Sequence, residues 1–244
     1  MSIVCKNCCH EYSGKFCNMC GQTTDTNPIN LHFLLKELRA TFVKYDEGFF
    51  FTLKQLFTHP GKFIREYLEG KRINRTKPIS FVIITAGIYS FLYIYFDISL
   101  APNPAGTEAS EIDSVKFNHW IFNHFSLVEV LLLPLFAIAS YLSFLKSKYN
   151  IFEHIILNCY VFGQRTLVNL LAFPFLIAYN ETPALTTISY FTLTINIAIV
   201  FWTFSQFFTG QSKFKSFLLT LLTFGVVLLE LLIIIYIYIL INKN

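Results

Sequence analysis

Charged residues are scarce in this sequence of 244 residues. Asp, Glu, Lys and Arg together make up 14% of it, whereas hydrophobic residues make up 54%. The mean hydropathy of +0.52 is far from that of an ordinary soluble protein. Most charges precede Pro78 and most long apolar runs follow it. This scarcity excludes a conventional soluble fold for most of the chain and predicts a mainly α-helical integral membrane protein.

Signatures of known catalytic sites are also missing. The sequence contains no nucleophile elbow, no His-Glu-x-x-His motif, no phosphate-binding loop and no dinucleotide fingerprint. A net charge of +4 requires no nucleic-acid partner, because the basic residues cluster where membrane topology would place them. No small-residue cleavage site follows the N-terminus, so we expect no cleavable signal peptide. We therefore expect that the protein is not an enzyme.

The N-terminus holds two Cys-x-x-Cys pairs, which together supply four thiolates. These are Cys5, Cys8, Cys17 and Cys20. Four thiolates close a tetrahedral zinc site without leaving a position for water, so the predicted Zn²⁺ is structural. Its binding would supply the folding energy of a module that has almost no core. Disulfide bonds are an alternative, and so is a ligand set in which Cys9 or His10 replaces one of the four.

Five later segments are long and apolar enough to cross a bilayer, which takes about 20 residues. They run over about residues 79–96, 125–145, 155–179, 185–208 and 217–241. The predicted organisation has three parts: a zinc ribbon at 1–24, cytoplasmic amphipathic helices with a basic juxtamembrane segment at 25–77, and a five-span transmembrane domain at 78–244.

The distribution of basic residues predicts the orientation of these spans. Ten would lie on one side of the membrane: Lys62, Arg65, Lys71, Arg72, Arg75, Lys77, Lys146, Lys148, Lys213 and Lys215. The other side would hold Lys116 and Lys243 together with five acidic residues. Because basic residues accumulate on the cytoplasmic side, we expect a cytoplasmic N-terminus and an external C-terminus.

Two amphipathic helices are predicted between the ribbon and the first span. One follows Asn30 as its cap, and the other begins at Pro60. They could lie on the cytoplasmic leaflet, or pack on each other and on the loops between spans. Anionic lipid head groups are the predicted contacts of four basic residues in this region: Lys71, Arg72, Arg75 and Lys77.

Ionisable residues also occur inside the predicted spans. An unpaired charge at the bilayer centre costs about 2.5–3.5 kcal/mol on insertion scales, so Arg165 and Glu230 should have partners. Their similar predicted depth suggests that they pair directly, whereas Glu129 is expected near the outer surface in contact with solvent. Such polar groups could form a path for an ion, a proton or a lipid head group, or could fix helix packing.

The N-terminal third resembles a known family. The motifs that carry the resemblance are Cys5-x-x-Cys8, Gly14-Lys15-Phe16-Cys17-x-x-Cys20-Gly21-Gln22, Asp46-Glu47-Gly48, Leu56-Phe57-Thr58-His59-Pro60-Gly61, Arg65-Glu66-Tyr67-Leu68-Glu69-Gly70-Lys71-Arg72 and Lys77-Pro78. In this order they resemble an uncharacterised bacterial family, the domain of unknown function numbered thirty-six sixty-seven. The resemblance implies a zinc-ribbon protein of the bacterial cytoplasmic (inner) membrane with no assigned activity. Cys9 stands where many members would have Gly.

Two functional hypotheses follow. The first is a membrane scaffold, regulator or assembly factor whose ribbon binds an unknown cytoplasmic protein partner. The second is a small transporter or permease with a polar path around Arg165 and Glu230.

Overall fold

The computed structural model describes residues 2–24, 26, 29–40, 48–98, 120–121 and 124–242, apart from the side chains of residues 36, 38–40 and 242. The predicted external residue Lys116 and the C-terminal Lys243 lie outside the described residues. In the described part the chain forms two short strands and eight helices: β1 (Ile3–Val4), β2 (Glu11–Tyr12), α1 (Leu31–Ala40), α2 (Phe49–Thr58), α3 (Pro60–Leu68), α4 (Pro78–Tyr95), α5 (Phe125–Ser143), α6 (Ile151–Ala178), α7 (Pro183–Phe207) and α8 (Lys213–Asn242).

Helices α4 to α8 are the five that are long and apolar enough to cross a membrane. They confirm the mainly helical fold class and lie where the sequence predicts the spans. Helix α6 begins four residues before the predicted start, because Asn150 and Glu153 form a capping box. The Glu153 N–H donates to the Asn150 side chain at 3.0 Å, and the Asn150 N–H donates to the Glu153 carboxylate at 2.8 Å.

Helix α6 lies at the centre of the bundle and packs against α4, α5 and α7. Gly163 permits the close contact with α4, since a Cβ there would lie 2.4 Å from the Phe81 ring. Helix α8 packs against α5 and α7. Most apolar side chains of its C-terminal half are exposed, as expected for a surface that faces lipid.

Polar side chains inside the bundle connect neighbouring helices. Asn196 on α7 donates to the Asn169 side chain on α6 at 2.7 Å. The Gln164 side chain accepts from Thr203 on α7 at 3.0 Å and donates to the Leu56 carbonyl of α2 at 2.9 Å. These bonds satisfy buried groups across helix contacts, which favours a packing role for the polar residues of α6.

The amphipathic helices α2 and α3 pack into one end of this bundle. The side chains of Leu56, Phe63, Ile64 and Tyr67 are fully buried and belong to the same hydrophobic core as α6. The Tyr160 hydroxyl of α6 donates to the Thr76 carbonyl just before α4, at 2.8 Å. Of the two predicted amphipathic helices, the one that begins at Pro60 therefore packs against the helical bundle through its buried apolar face.

Candidate metal centre and its attachment to the bundle

The N-terminal module is built from two short strand pairings, each enclosing one Cys-x-x-Cys turn. Strands β1 and β2 pair antiparallel, with Val4 opposite Glu11, around the first turn. An isolated bridge between Phe16 and Thr23 closes the second. Each pairing brings the ends of a turn together, so that its two thiols point to the same side.

The two turns share one backbone geometry. In each turn, the N–H of the first cysteine donates to the carbonyl five residues later, Cys5 to His10 at 2.9 Å and Cys17 to Gln22 at 2.8 Å. The carbonyl of the first cysteine accepts from the N–H four residues later, Cys5 from Cys9 at 2.9 Å and Cys17 from Gly21 at 2.8 Å. The corresponding residues Cys9 and Gly21 both have positive φ, 59° and 74°. Gly adopts this conformation without strain, whereas Cys9 pays a steric cost there.

Four thiols meet between the turns. The sulfur atoms of Cys5 and Cys20 lie 3.6 Å apart, as do those of Cys8 and Cys17. All four lie within 4.8 Å of one another. Zn–S bonds of ~2.3 Å imply S···S separations of ~3.8 Å in a tetrahedron, so the donors fit a single metal ion. A closed site of four sulfurs has no open position for a water, which suits a structural rather than a hydrolytic role.

The pKa values of Cys5 and Cys8 are shifted in opposite directions. Burial raises the pKa of Cys5, but N–H groups of Cys8 and Asn7 outweigh it and lower the pKa to about 7. For Cys8, the His10 backbone lowers the pKa, but desolvation and the neighbouring thiols raise it to about 12. The first thiolate therefore forms readily, whereas further negative charge in so small a volume needs a cation.

The ribbon is attached to the bundle through the segment that follows α3. Gln22, only 3% exposed, accepts from the Arg72 N–H through its side chain at 3.2 Å. Lys6 donates to the Thr26 carbonyl at 3.1 Å. Gly70 has a φ of +109°, and a Cβ there would lie 2.8 Å from the Lys6 side chain. The four-cysteine module thus contacts the helical part of the chain through Gln22 and Lys6.

The basic residues of this segment make several contacts within the protein. Arg75 binds the Glu66 carboxylate at 2.5 Å and the Phe63 carbonyl at 2.9 Å, while Lys71 approaches Glu66 at 3.2 Å. Burial raises the pKa of Glu66, but the two cations outweigh it and hold this pKa below its usual value. The Arg72 guanidinium lies over the Phe33 ring, 4.4 Å from its centre.

These contacts bear on the predicted lipid contacts. Arg75 is largely buried and its guanidinium is occupied by protein groups, whereas Lys71, Arg72 and Lys77 are half-buried. Contact of these residues with lipid head groups stays a prediction.

A second attachment joins α3 to the end of α7. The Arg65 guanidinium donates to the carbonyl of Gln206 and, at 3.1 Å, to that of Phe207. The last carbonyls of a helix lack intrahelical partners and carry its negative dipole end, so a cation there is doubly favourable. Gly61 permits the approach, because a Cβ would lie only 2.3 Å from the Gln206 backbone.

The predicted intramembrane residues are arranged differently from the expectation. Among the described residues, no ion pair joins Arg165 to Glu230. The Arg165 guanidinium lies 5.1 Å from the Phe162 ring centre and interacts electrostatically with Glu129 on α5. The prediction that Glu129 contacts solvent is wrong, since it is 4% exposed. A joint functional role of Arg165 and Glu230 stays a prediction.

A count of helical residues could have found Glu129. Helices α5 and α6 are consecutive and joined by a short loop, so equal distances from that loop give equal depths. Glu129 lies 14 residues before the end of α5, and Arg165 lies 14 residues after the start of α6. Both are therefore ~21 Å from the loop at ~1.5 Å per residue.

Comparison with known proteins identifies one family. Residues 46–90 match the model of a family described as "Protein of unknown function (DUF3667)". The match confirms the resemblance seen in the sequence and covers α2, α3 and most of α4. The four cysteines lie outside the matched residues. No curated protein and no solved structure matches the chain.

Proposed function

We propose that this protein is a non-enzymatic scaffold, regulator or assembly factor of the bacterial cytoplasmic membrane. Its five apolar helices span the bilayer with the N-terminus in the cytoplasm and the C-terminus outside. The four cysteines hold a structural Zn²⁺, and the ribbon binds a cytoplasmic protein partner.

The observation that carries this proposal is the exposure of apolar side chains on the second Cys-x-x-Cys turn. Phe16 is 61% exposed and Met19 is 72% exposed, directly before and within that turn. A water-facing module this small gains nothing in stability from presenting a phenylalanine and a methionine to solvent. Aromatic side chains and Met are enriched at protein interfaces, where Met adapts to varied surfaces.

The attachment of the ribbon supports the same function. The hydrogen bond between Gln22 and Arg72 and the close approach of the Lys6 side chain to Gly70 hold the module against the segment that follows α3. A partner bound at Phe16 and Met19 would therefore sit at a fixed position relative to the membrane helices, as a scaffold requires. The transport alternative needs Arg165 and Glu230 to line one path, and their lack of a mutual ion pair gives it less support.

Crosslinking in the native membrane, followed by affinity purification of the full chain, tests the partner site. The double variant Phe16→Ser and Met19→Ser is expected to lose the captured partner while keeping one zinc ion per chain. Val4→Ser is the matched control, because Val4 is an exposed apolar residue of β1 outside the second turn. Equal capture by the double variant and the control would refute the proposed surface.

Labelling of Cys9 tests the orientation separately. Its thiol is exposed and lies outside the four-thiol cluster. A membrane-impermeant thiol reagent should label Cys9 only after the cells are opened. Labelling in intact cells would refute a cytoplasmic ribbon.

A further inference from the structure

A cavity of about 760 Å³ lies between the loop that joins α5 to α6 and the loop that joins α7 to α8. Its size falls within the range of about 300–1,000 Å³ that is typical of small-molecule sites. Both loops lie at the bundle end where the charge distribution places the cytoplasm, close to the level of lipid head groups.

The polar lining of this cavity is cationic. Lys146, Lys148 and Lys215 line it, and none of the lining residues that the structure describes is acidic. Among the described residues, none of the three lysines forms an ion pair. The cavity also adjoins the N-terminus of α8, where the first turn contains no acidic residue to compensate the positive helix dipole. Lys148 lies 5.5 Å from the centre of the Tyr149 ring, but no carboxylate neutralises its charge. Lysines without an ion pair, beside a positive helix end, create a field that attracts an anion.

Buried polar atoms with no hydrogen-bond partner among the described residues also line the cavity. Ser143 is only 8% exposed, and neither its hydroxyl nor that of Ser147 has a partner. The buried side-chain nitrogen of Gln211, a donor, has none either. A buried polar group left unsatisfied costs about 1–3 kcal/mol, so three at one cavity indicate a ligand that accepts hydrogen bonds.

The remaining lining is apolar. Phe144 and Phe208 stack with their ring centres 3.8 Å apart and form one wall. Leu142, Leu145 and Leu219 continue the lining along the ends of the spans. A free inorganic anion gains nothing from an apolar wall. A molecule with a phosphate and an apolar body can contact both the cationic and the apolar parts of the cavity.

We propose that this cavity, which we call the lysine pocket, binds the phosphate-bearing head group of an anionic phospholipid. The three lysines attract and pair with the phosphate, and the donors of Ser143, Ser147 and Gln211 bind its oxygens. The apolar wall contacts the glycerol and the first part of an acyl chain. The assignment rests on the proposed membrane location, which brings this end of the bundle to the cytoplasmic leaflet.

Equilibrium binding of a fluorescent phosphatidylglycerol to the full chain in detergent micelles tests the proposal. The triple variant Lys146→Gln, Lys148→Gln and Lys215→Gln is expected to weaken binding at least about tenfold, since each base near a lipid surface contributes to attraction. The matched control removes three charges from exposed residues that do not line the cavity: Lys15→Gln, Lys54→Gln and Lys62→Gln. The control is expected to stay within about twofold of the unmodified protein. An equal loss in the control, or no loss in the triple variant, would overturn the proposal.

Gln211→Leu separates a built site from general electrostatic attraction. It keeps every lysine and removes one buried donor, so binding should weaken about threefold or more. Unchanged binding would contradict the assigned donors. Circular dichroism and gel filtration confirm that each variant is folded.

Competition distinguishes the source of the phosphate. Unlabelled phosphatidylglycerol should displace the probe, zwitterionic phosphatidylcholine should do so at least about tenfold less well, and millimolar inorganic phosphate should not. Displacement by inorganic phosphate would overturn the lipid assignment in favour of a free-anion site. The triple variant should still capture the partner of Phe16 and Met19, so failure at the lysine pocket and failure of the proposed scaffold function give different results.

Discussion

The contact between Arg65 and the end of α7 is expected to hold α3 against the bundle. Arg65 is the residue of the matched family segment that reaches the last two carbonyls of α7, those of Gln206 and Phe207. Replacing Arg65 with Leu keeps a good helix former and removes both bonds. The two carbonyls then lose their charged partner at the negative end of a 25-residue helix.

The magnitude follows from the number and type of these bonds. A hydrogen bond from a charged donor contributes about 1.5–3 kcal/mol. Arg65 is half-buried and its two bonds share one guanidinium, so we expect a combined loss of about 2–4 kcal/mol rather than the full sum. This loss should appear mainly as easier detachment of α3, because the core of α6 does not depend on Arg65.

Amide hydrogen exchange of the full chain, read by mass spectrometry, measures this detachment. Peptides of α3 should exchange roughly 30- to 700-fold faster in Arg65→Leu, at tenfold per 1.4 kcal/mol. Peptides from the middle of α6 should be unchanged. Arg65→Lys should give an intermediate effect, because an ammonium lacks the planar fork of donors.

Lys62→Leu is the control for this prediction, since it removes a positive charge from an exposed position on the same helix. It should alter the exchange of α3 by no more than about twofold. If Arg65→Leu and Lys62→Leu exchange alike, the guanidinium does not stabilise the contact and the reasoning is wrong.

Three further predictions concern the N-terminal ribbon and helix α3. Cys17→Ser should lose the metal and unfold residues 2–24, because the ribbon buries little beyond its thiols and Tyr12. Elemental analysis should find no metal, and the helical circular dichroism signal should be unchanged. Cys9→Gly should keep one metal ion per chain and stabilise the ribbon by about 1 kcal/mol in a chelator titration, because it relieves a positive φ; loss of metal would instead make Cys9 a ligand. The pKa of Glu66 is lowered in the folded chain, so its stabilisation is present at neutral pH and is lost as the pH falls through that value. As the pH falls, amide hydrogen exchange in α3 of the unmodified protein should therefore accelerate more than intrinsic exchange does. Glu66→Gln should abolish this pH dependence, whereas Glu69→Gln should retain it.

The cluster of four thiols and the long helices were predictable because each is encoded locally. The spacing within a Cys-x-x-Cys turn determines where its two sulfurs lie, and the four predicted cysteines are the four that converge. Span length and composition are equally local properties, and five helices of sufficient length and apolarity confirm that prediction. The structure also explains why Gly would suit position 9. Cys9 has a positive φ of 59°, close to the 74° of Gly21 at the same place in the second turn.

Contacts between helices were not predictable in the same way. An amphipathic helix has the same sequence pattern whether its apolar face meets lipid or protein, so the pattern of α3 could not decide between them. Contacts between residues distant in sequence determine that these helices pack on protein. Gly61 of α3 contacts the α7 backbone, and the Thr52 hydroxyl of α2 accepts a hydrogen bond from the Thr76 N–H at 2.9 Å. The prediction of a direct Arg165–Glu230 pair relied on depth alone and overlooked Glu129, which lies at the same distance from the loop on the adjacent helix.

Several residues of the matched segment connect the ribbon and the start of α4 to the helical bundle. Gly61 and Arg65 bind α7, and Glu66 binds Arg75. Gly48 permits the close approach of the segment before α4, because a Cβ there would lie 2.6 Å from the backbone nitrogen of Arg75. The segment therefore connects the ribbon, through Arg72 and Arg65, to the end of α7, and the next residue Phe208 lines the lysine pocket.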